Sequence, residues 1–236
     1  YITRVLSPEG IGQANYASSI ANYFILIGGL GLASYAIREG AKRSYRKEEF
    51  DAFTDEMWTV GLLSALFAYI CLFVTLAFSV KFHDYRWLIA LYSFQILSNA
   101  LGMEWVLNIY EEYAYVTIRS VIFQILSLVL LFCFVKNPGD VYHYAVIQMI
   151  STVGIGLANH IYVRKKVTLK IVWSGKILTH LEPILLIFST TLATTVYVNL
   201  DTTMLGWIWG DEQVGYYTAA AKLYNIVKSL INSVVT

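Results

Sequence analysis

Apolar runs without a single charge recur along the chain, at Gly10–Ile37, Met57–Val80, Trp87–Met103, Ser120–Val135, Val141–Val163 and Pro183–Leu200. A seventh begins near Gly215 and reaches the last residue, interrupted only by Lys222 and Lys228. A helix needs about 20 mostly apolar residues to cross a bilayer. Strands of a membrane barrel would alternate every second residue, and strings such as "ILSLVLLFCFV" do not. The pattern therefore predicts an all-α, polytopic transmembrane helix bundle. Its spans, A to G, fall at about 12–37, 56–80, 86–107, 115–135, 141–163, 183–206 and 215–236. Between them lie the turns "LSPEGIG", "KFHDYR", "KNPGD" and "WGDEQVG", rich in Gly, Pro, Asn and Asp.

Lysine and arginine give the bundle an orientation. The loops after spans A, C and E hold eleven of these residues and the opposite loops hold four, namely Arg4, Lys81, Arg86 and Lys136. Basic loops stay in the cytoplasm, so the loops after A, C and E are expected inside. Two of them, "REGAKRSYRKEEFDAF" and "RKKVTLKIVWSGKIL", mix charged with apolar residues. They read either as amphipathic helices on the inner surface, the second over 164–178, or as solvated linkers. Trp87, Trp105, Trp173, Trp207 and Trp209 sit at span ends, as an interfacial belt would.

Composition narrows the class. Hydrophobic residues make up 57% and charged residues 14% of the 236 positions. Soluble domains carry roughly 25% charged residues. A net charge of +1 gives no reason to expect nucleic acid. Cys71 and Cys133 lie within apolar runs and read as small buried hydrophobes, and the four histidines are scattered. No metal site, cofactor or catalytic cluster is expected. The opening Tyr1 and the apolar end suggest a fragment of a longer chain.

"PEGIGQANYASSIAN", residues 8–22, resembles "DEQVGYYTAAAKLYN", residues 211–225, at an offset of 203. Glu9, Gly12, Ala17 and Asn22 match Glu212, Gly215, Ala220 and Asn225. Six spans separate the two turns, which places both on one side. The expected arrangement is a first six-span repeat lacking its first span, then the first two spans of a second, parallel repeat. Residues 1–178 would form the N-terminal bundle and 179–236 the start of the C-terminal one.

The strings "ITRVLSPEGIGQANYASSIANYF", "GLASYAIREGAKR" and "YVNLDTTMLGWIWGDEQVGYYTAAAKL" resemble those of polysaccharide flippases, the O-antigen and capsule exporters of the multidrug/oligosaccharidyl-lipid/polysaccharide superfamily. The resemblance runs through the whole chain. It implies twelve to fourteen spans in the complete protein, at the bacterial inner membrane. It implies transfer of an undecaprenyl-diphosphate-linked oligosaccharide from the inner to the outer leaflet. It also implies membrane lipids as surroundings, and a polysaccharide polymerase and other assembly proteins as partners. Its central cavity would be lined by the missing span and spans A, F and G. The chain departs from the aromatic-glycine-glutamate pattern after span C, because "EWVLNIYEEY" has no glycine before Glu111.

Candidate binding residues follow from helical spacing. Asn15, Ser19 and Asn22 share one face of span A, and Thr218, Lys222, Asn225, Ser229 and Asn232 share one face of span G. Small polar residues alone would serve interhelical packing. A lysine inside a span shifts the reading toward a wet cavity, where its ammonium would meet substrate phosphate. Arg38 and Arg119, at span ends, are candidates of the same kind or plain inner-surface anchors. Asp201 is either a hydrated interfacial acid or a coupling acid. Competing functions are a drug or cation antiporter of the same superfamily, a membrane polymerase or acyltransferase, and a scaffold without transport.

Overall fold

The computed structural model describes the backbone of residues 1–235, and their side chains except at 176, 230 and 232–235. One helical turn, α1 (Ile2–Val5), leads into α2 (Pro8–Gly29). Ser7 caps α2, its hydroxyl accepting from the Gly10 N–H at 3.1 Å, and Pro8 takes the first position, where no N–H is needed. Then follow α3 (Leu32–Ala41), α4 (Lys47–Phe78), α5 (Arg86–Gly102), α6 (Glu104–Ile109), α7 (Tyr113–Phe134), α8 (Val141–Val163), α9 (Lys176–Ile208) and α10 (Asp211–Val235). No strand occurs among the described residues.

Five helical stretches are long and apolar enough to cross a membrane: Pro8–Ala41, Lys47–Phe78, Tyr113–Phe134, Val141–Val163 and Ile177–Ile208. Helix α5 is shorter, at 17 residues, and is continued by α6 beyond a break. Helices α2, α5, α8 and α10 start at one end of the bundle. The other end, called here the basic end, carries the loops around 42–46, 110–112 and 164–175.

Two backbone breaks face each other. Leu30 (φ 45°) and Gly31 (φ 66°) separate α2 from α3, and Met103 (φ 44°) separates α5 from α6. Left-handed backbone at Leu or Met costs roughly 1–2 kcal/mol, so packing must hold it there. Both breaks border one cavity of about 320 Å³, lined among others by Gly29, Leu32, Trp58, Asn99, Met103 and Asn159. Irregular backbone within a membrane is tolerated where it is buried in protein or faces such a space.

Two apolar clusters build the core. The first joins α2, α4, α5 and α8 through residues such as Ile20, Phe24, Ala68, Ile89 and Ile147. The second lies at the basic end and joins α3, α4 and α6 to α9 through Tyr35, Phe53, Met57, Val106 and Ile184. Much of α7 stays uncovered, exposing Ile118, Ile122, Ile125 and Leu128. That is the pattern of a helix that meets lipid.

Three expectations need correction. Cys133 is exposed on α7 rather than buried, and Cys71 is half-buried. The stretch after α8 is not a surface helix over 164–178. Turns occupy 164–166, irregular backbone follows to 174, and helix resumes only at Lys176. Val167, Thr168, Ile171, Val172 and Gly175 all weaken helix propensity there. Its backbone finds other acceptors on α4: the Lys170 N–H donates to Asp55 Oδ1 at 2.8 Å and the Val172 N–H to Thr59 Oγ1 at 3.1 Å. Finally, the helix of span F starts at Lys176 and keeps Pro183 inside it, rather than starting at 183.

Candidate functional site

At their starts, helices α2 and α10 touch backbone to backbone. A Cβ built on Gly12 would lie 1.7 Å from the Asp211 carbonyl oxygen, and one on Gly215 would lie 2.0 Å from that of Pro8. Glycine is required at both positions because the partner backbone occupies the side-chain space. The two contacts exchange partners at the offset of 203 residues. One turn further in, the Asn15 Nδ2–H donates to Thr218 Oγ1 at 3.2 Å, again across 203 residues.

A polar seam continues between α2 and α9, which run antiparallel. Tyr16 lies over Gly206, where an added Cβ would sit 2.2 Å from its ring. Ser19 Oγ and Thr203 Oγ1 are 3.3 Å apart, and Tyr23 Oη lies 3.1 Å from the same Thr203 oxygen. The Asn22 Nδ2–H donates to Asn199 Oδ1 at 3.1 Å. Below this pair a cleft opens toward the basic end, lined by Thr191, Thr195, Ser34 and the Gly29–Gly31 break. The seam is neutral throughout, built from amides and hydroxyls.

The end of the bundle bearing residues 8 and 211 is tied shut by a second set of contacts. The Tyr85 hydroxyl donates to Asp211, with oxygen separations of 2.7 and 2.8 Å. Lys81 Nζ lies 3.6 Å from the centre of the Trp207 ring and donates to the Trp207 carbonyl at 3.3 Å. Phe82 meets the same ring edge-on. Burial raises the Asp211 carboxyl above its ordinary range, with hydrogen bonds from Tyr85 and Gln13 opposing and the Glu9 charge adding. Burial, and then the hydrogen bond to Asp211, raise the Tyr85 phenol.

The candidate residues divide among these places. Asn15, Ser19, Asn22 and Thr218 come together in the seam. Lys222 and Asn225 are exposed on α10 beyond the crossing, as is Ser229, whose hydroxyl donates to the Ile226 carbonyl at 2.8 Å. Lys222 has no hydrogen bond or ion pair among the described residues. The side chain of Asn232 lies outside those residues. Asp201 is exposed and accepts from the Tyr217 hydroxyl at 2.7 Å. Arg38 is exposed near Glu39, with 3.7 Å between Nε and Oε1.

Arg119 lies elsewhere. It is 5% exposed, donates to Asn159 on α8 and pairs with Glu104 on α6 at 3.0 Å, which joins α6, α7 and α8. Its Nε is buried without a partner among the described residues. At the basic end, Glu112 pairs with Lys166 and accepts from Tyr162 at 3.1 Å. The Lys166 hydrogen bond holds the Glu112 carboxyl below its usual range, and the same bond raises the Lys166 ammonium.

Sequence spacing missed half of the seam. Thr191, Thr195, Asn199 and Thr203 recur every four residues on α9, the same signal that marked spans A and G. It also missed His180. That ring is buried where α9 meets α3 and α4, with Nδ1 2.6 Å from the Tyr35 hydroxyl and Nε2 3.1 Å from Glu56 Oε2.

Long apolar helices joined by glycine crossings and neutral hydrogen bonds define a multi-pass helical membrane protein. The chain belongs to the polysaccharide biosynthesis protein family, whose family profile matches residues 1–236. It is 23% identical over 248 residues to an Escherichia coli (strain K12) protein named "Putative O-antigen transporter". That match covers 99% of this chain and 57% of the relative, so the chain spans little more than half the relative's length. No solved structure matches the chain.

Proposed function

We propose that this chain is part of a bacterial inner-membrane transporter that moves a lipid-linked oligosaccharide from the inner to the outer leaflet for surface polysaccharide assembly. Undecaprenyl diphosphate is the carrier that the family resemblance implies. The observation that carries the reading is the polar seam of α2, α9 and α10. It is closed at one end by glycine contacts and opens past Asn22 and Asn199 into a cleft. A neutral seam of amides and hydroxyls suits a path for sugars. It offers hydrogen bonds without fixing one charge pattern. Lys222, exposed past the crossing, supplies a point charge for a diphosphate or a sugar acid.

The matched turns at residues 8–22 and 211–225 support two parallel repeats around an axis along the membrane normal. In that arrangement the substrate path lies between the halves. The eleven basic residues after spans A, C and E support placing the basic end in the cytoplasm. The role is transport rather than catalysis.

The test replaces Lys222 in the full-length protein and measures surface polysaccharide and inner-leaflet lipid-linked oligosaccharide. Lys222→Arg retains part of the export. Lys222→Ala and Lys222→Glu abolish it while the protein stays in the membrane. Wild-type export by Lys222→Ala removes the lysine from the mechanism. A deletion strain with intact surface polysaccharide and altered drug tolerance selects the antiporter reading instead.

A further inference from the structure

The segment between α8 and α9 is a strap with two different faces. Its inner face is bound to α4. Asp55 and Thr59 stand one turn apart there, about 6 Å along the axis. Two residues of chain cover that distance only when extended, at about 3.3 Å each. The Lys170 and Val172 N–H groups match this spacing, and Ser174 Oγ donates to Glu56 Oε1 at 3.0 Å. Val167 is buried and Leu169 half-buried against the basic-end core.

The opposite face is apolar and uncovered. In an extended chain Ile171 and Trp173 fall on one side, and they are 60% and 78% exposed. Leu178, at the start of α9, is 70% exposed. Arg164 and Lys165, at the start of the strap, are exposed, and no acidic residue occurs between 164 and 178. An indole and branched aliphatics following cations fit one environment well: the headgroup layer of a leaflet that carries negative charge.

We propose that the strap's outer face docks on anionic phospholipid headgroups, with Trp173 and Ile171 inserted among them and Arg164 and Lys165 contacting phosphates. The proposal rests on the membrane placement of the chain and not on its transport activity. The lipid surface then holds the strap from outside while Asp55, Thr59 and Glu56 hold it from within. The strap leads directly into α9, so the anchoring reaches the helix that forms half of the polar seam.

Spin labels at Trp173→Cys and, separately, Ile171→Cys test this in the full-length protein lacking Cys71 and Cys133. Nanodiscs are made from phosphatidylcholine alone or with phosphatidylglycerol. In the anionic discs both labels should be reached by oxygen and protected from an aqueous nickel chelate. Glutamine at 164 and 165 together should raise nickel access several-fold. Nickel access that is high in both discs and indifferent to the glutamines places the strap in water and overturns the proposal. Labels shielded from oxygen and nickel alike show that protein covers the face, which overturns it equally. Export is not the readout, so the outcome is independent of the transport assignment.

Discussion

Alanine at Gly12 or Gly215 attacks the α2–α10 crossing with a single carbon atom. The added Cβ would stand 1.7 Å from the Asp211 carbonyl oxygen in the first case and 2.0 Å from that of Pro8 in the second. Ordinary contact needs at least 3.4 Å. The backbones must therefore part by about 1.5 Å, and neither obstacle is a flexible side chain that could swing away. Overpacking of this kind costs roughly 1–3 kcal/mol. The separation also stretches the 3.2 Å Asn15–Thr218 bond and pulls Asp211 away from Tyr85. Oxidative cross-linking of an Asn15→Cys/Thr218→Cys pair, without Cys71 and Cys133, reads the distance directly. Gly12→Ala and Gly215→Ala should each slow cross-linking several-fold and lower Tm in detergent. Gly61→Ala, whose new Cβ meets nothing within 4 Å, is the control and should leave the rate unchanged. Cross-linking at the parental rate with an unchanged Tm in Gly12→Ala would refute the close backbone contact.

Arg119→Leu should destabilise the protein by about 2 kcal/mol in thermal or denaturant unfolding. That is less than the 3–5 kcal/mol of a fully buried pair, because Glu104 is half exposed. The Asp211 carboxyl is raised by burial, so the folded state binds its proton more tightly than the unfolded chain does. The stability this contributes is complete below the ordinary carboxylate range and is lost as pH rises through the raised value. The difference in Tm between wild type and Asp211→Asn should therefore change across that window and be flat above it; a difference flat throughout would contradict the shift. A thiol at Tyr45, which is 93% exposed, should react with impermeant reagent in inside-out vesicles and be silent in intact cells. Labelling from outside would reverse the assigned orientation.

The sequence pattern located helices better than it located partners. Span E, read at 141–163, coincides with α8, and span D differs from α7 by about two residues at its start. Both are bounded by charges or by Asn-Pro-Gly-Asp, which end apolar runs sharply. Spans A and C were read as continuous, yet Leu30 and Met103 take left-handed backbone. Nothing apolar or polar in the one-dimensional pattern marks those breaks beyond Gly28, Gly29, Gly31 and Gly102. The polar face of span A was legible from its 4 and 3 spacing, but spacing on one helix cannot name the opposing residue. Asn199 and Thr203 share a four-residue spacing on span F, but their pairing with Asn22 and Ser19 is set by tertiary packing. Residue type groups Arg119 with Lys222, although α7 carries it to Glu104 and Asn159, away from the seam. The charges of the strap allow an amphipathic helix or a linker alike, and the acceptors that hold it extended sit 115 and 113 residues away in sequence.

The glycine crossing also fixes a lever. Contact at Gly12 and Gly215 is backbone on backbone, and with the Asn15–Thr218 bond one turn further in it sets where α10 crosses α2. From Gly215 to Ser229 is about 21 Å of helix. A tilt of roughly 10° about the crossing would carry Ser229 through about 4 Å, while atoms beside the fulcrum hardly move. A small angular change at the crossing would thus open a gap about the width of a water layer at the far end of α10. The residues that set the size of that gap are the ones nearest the pivot, not those that line it.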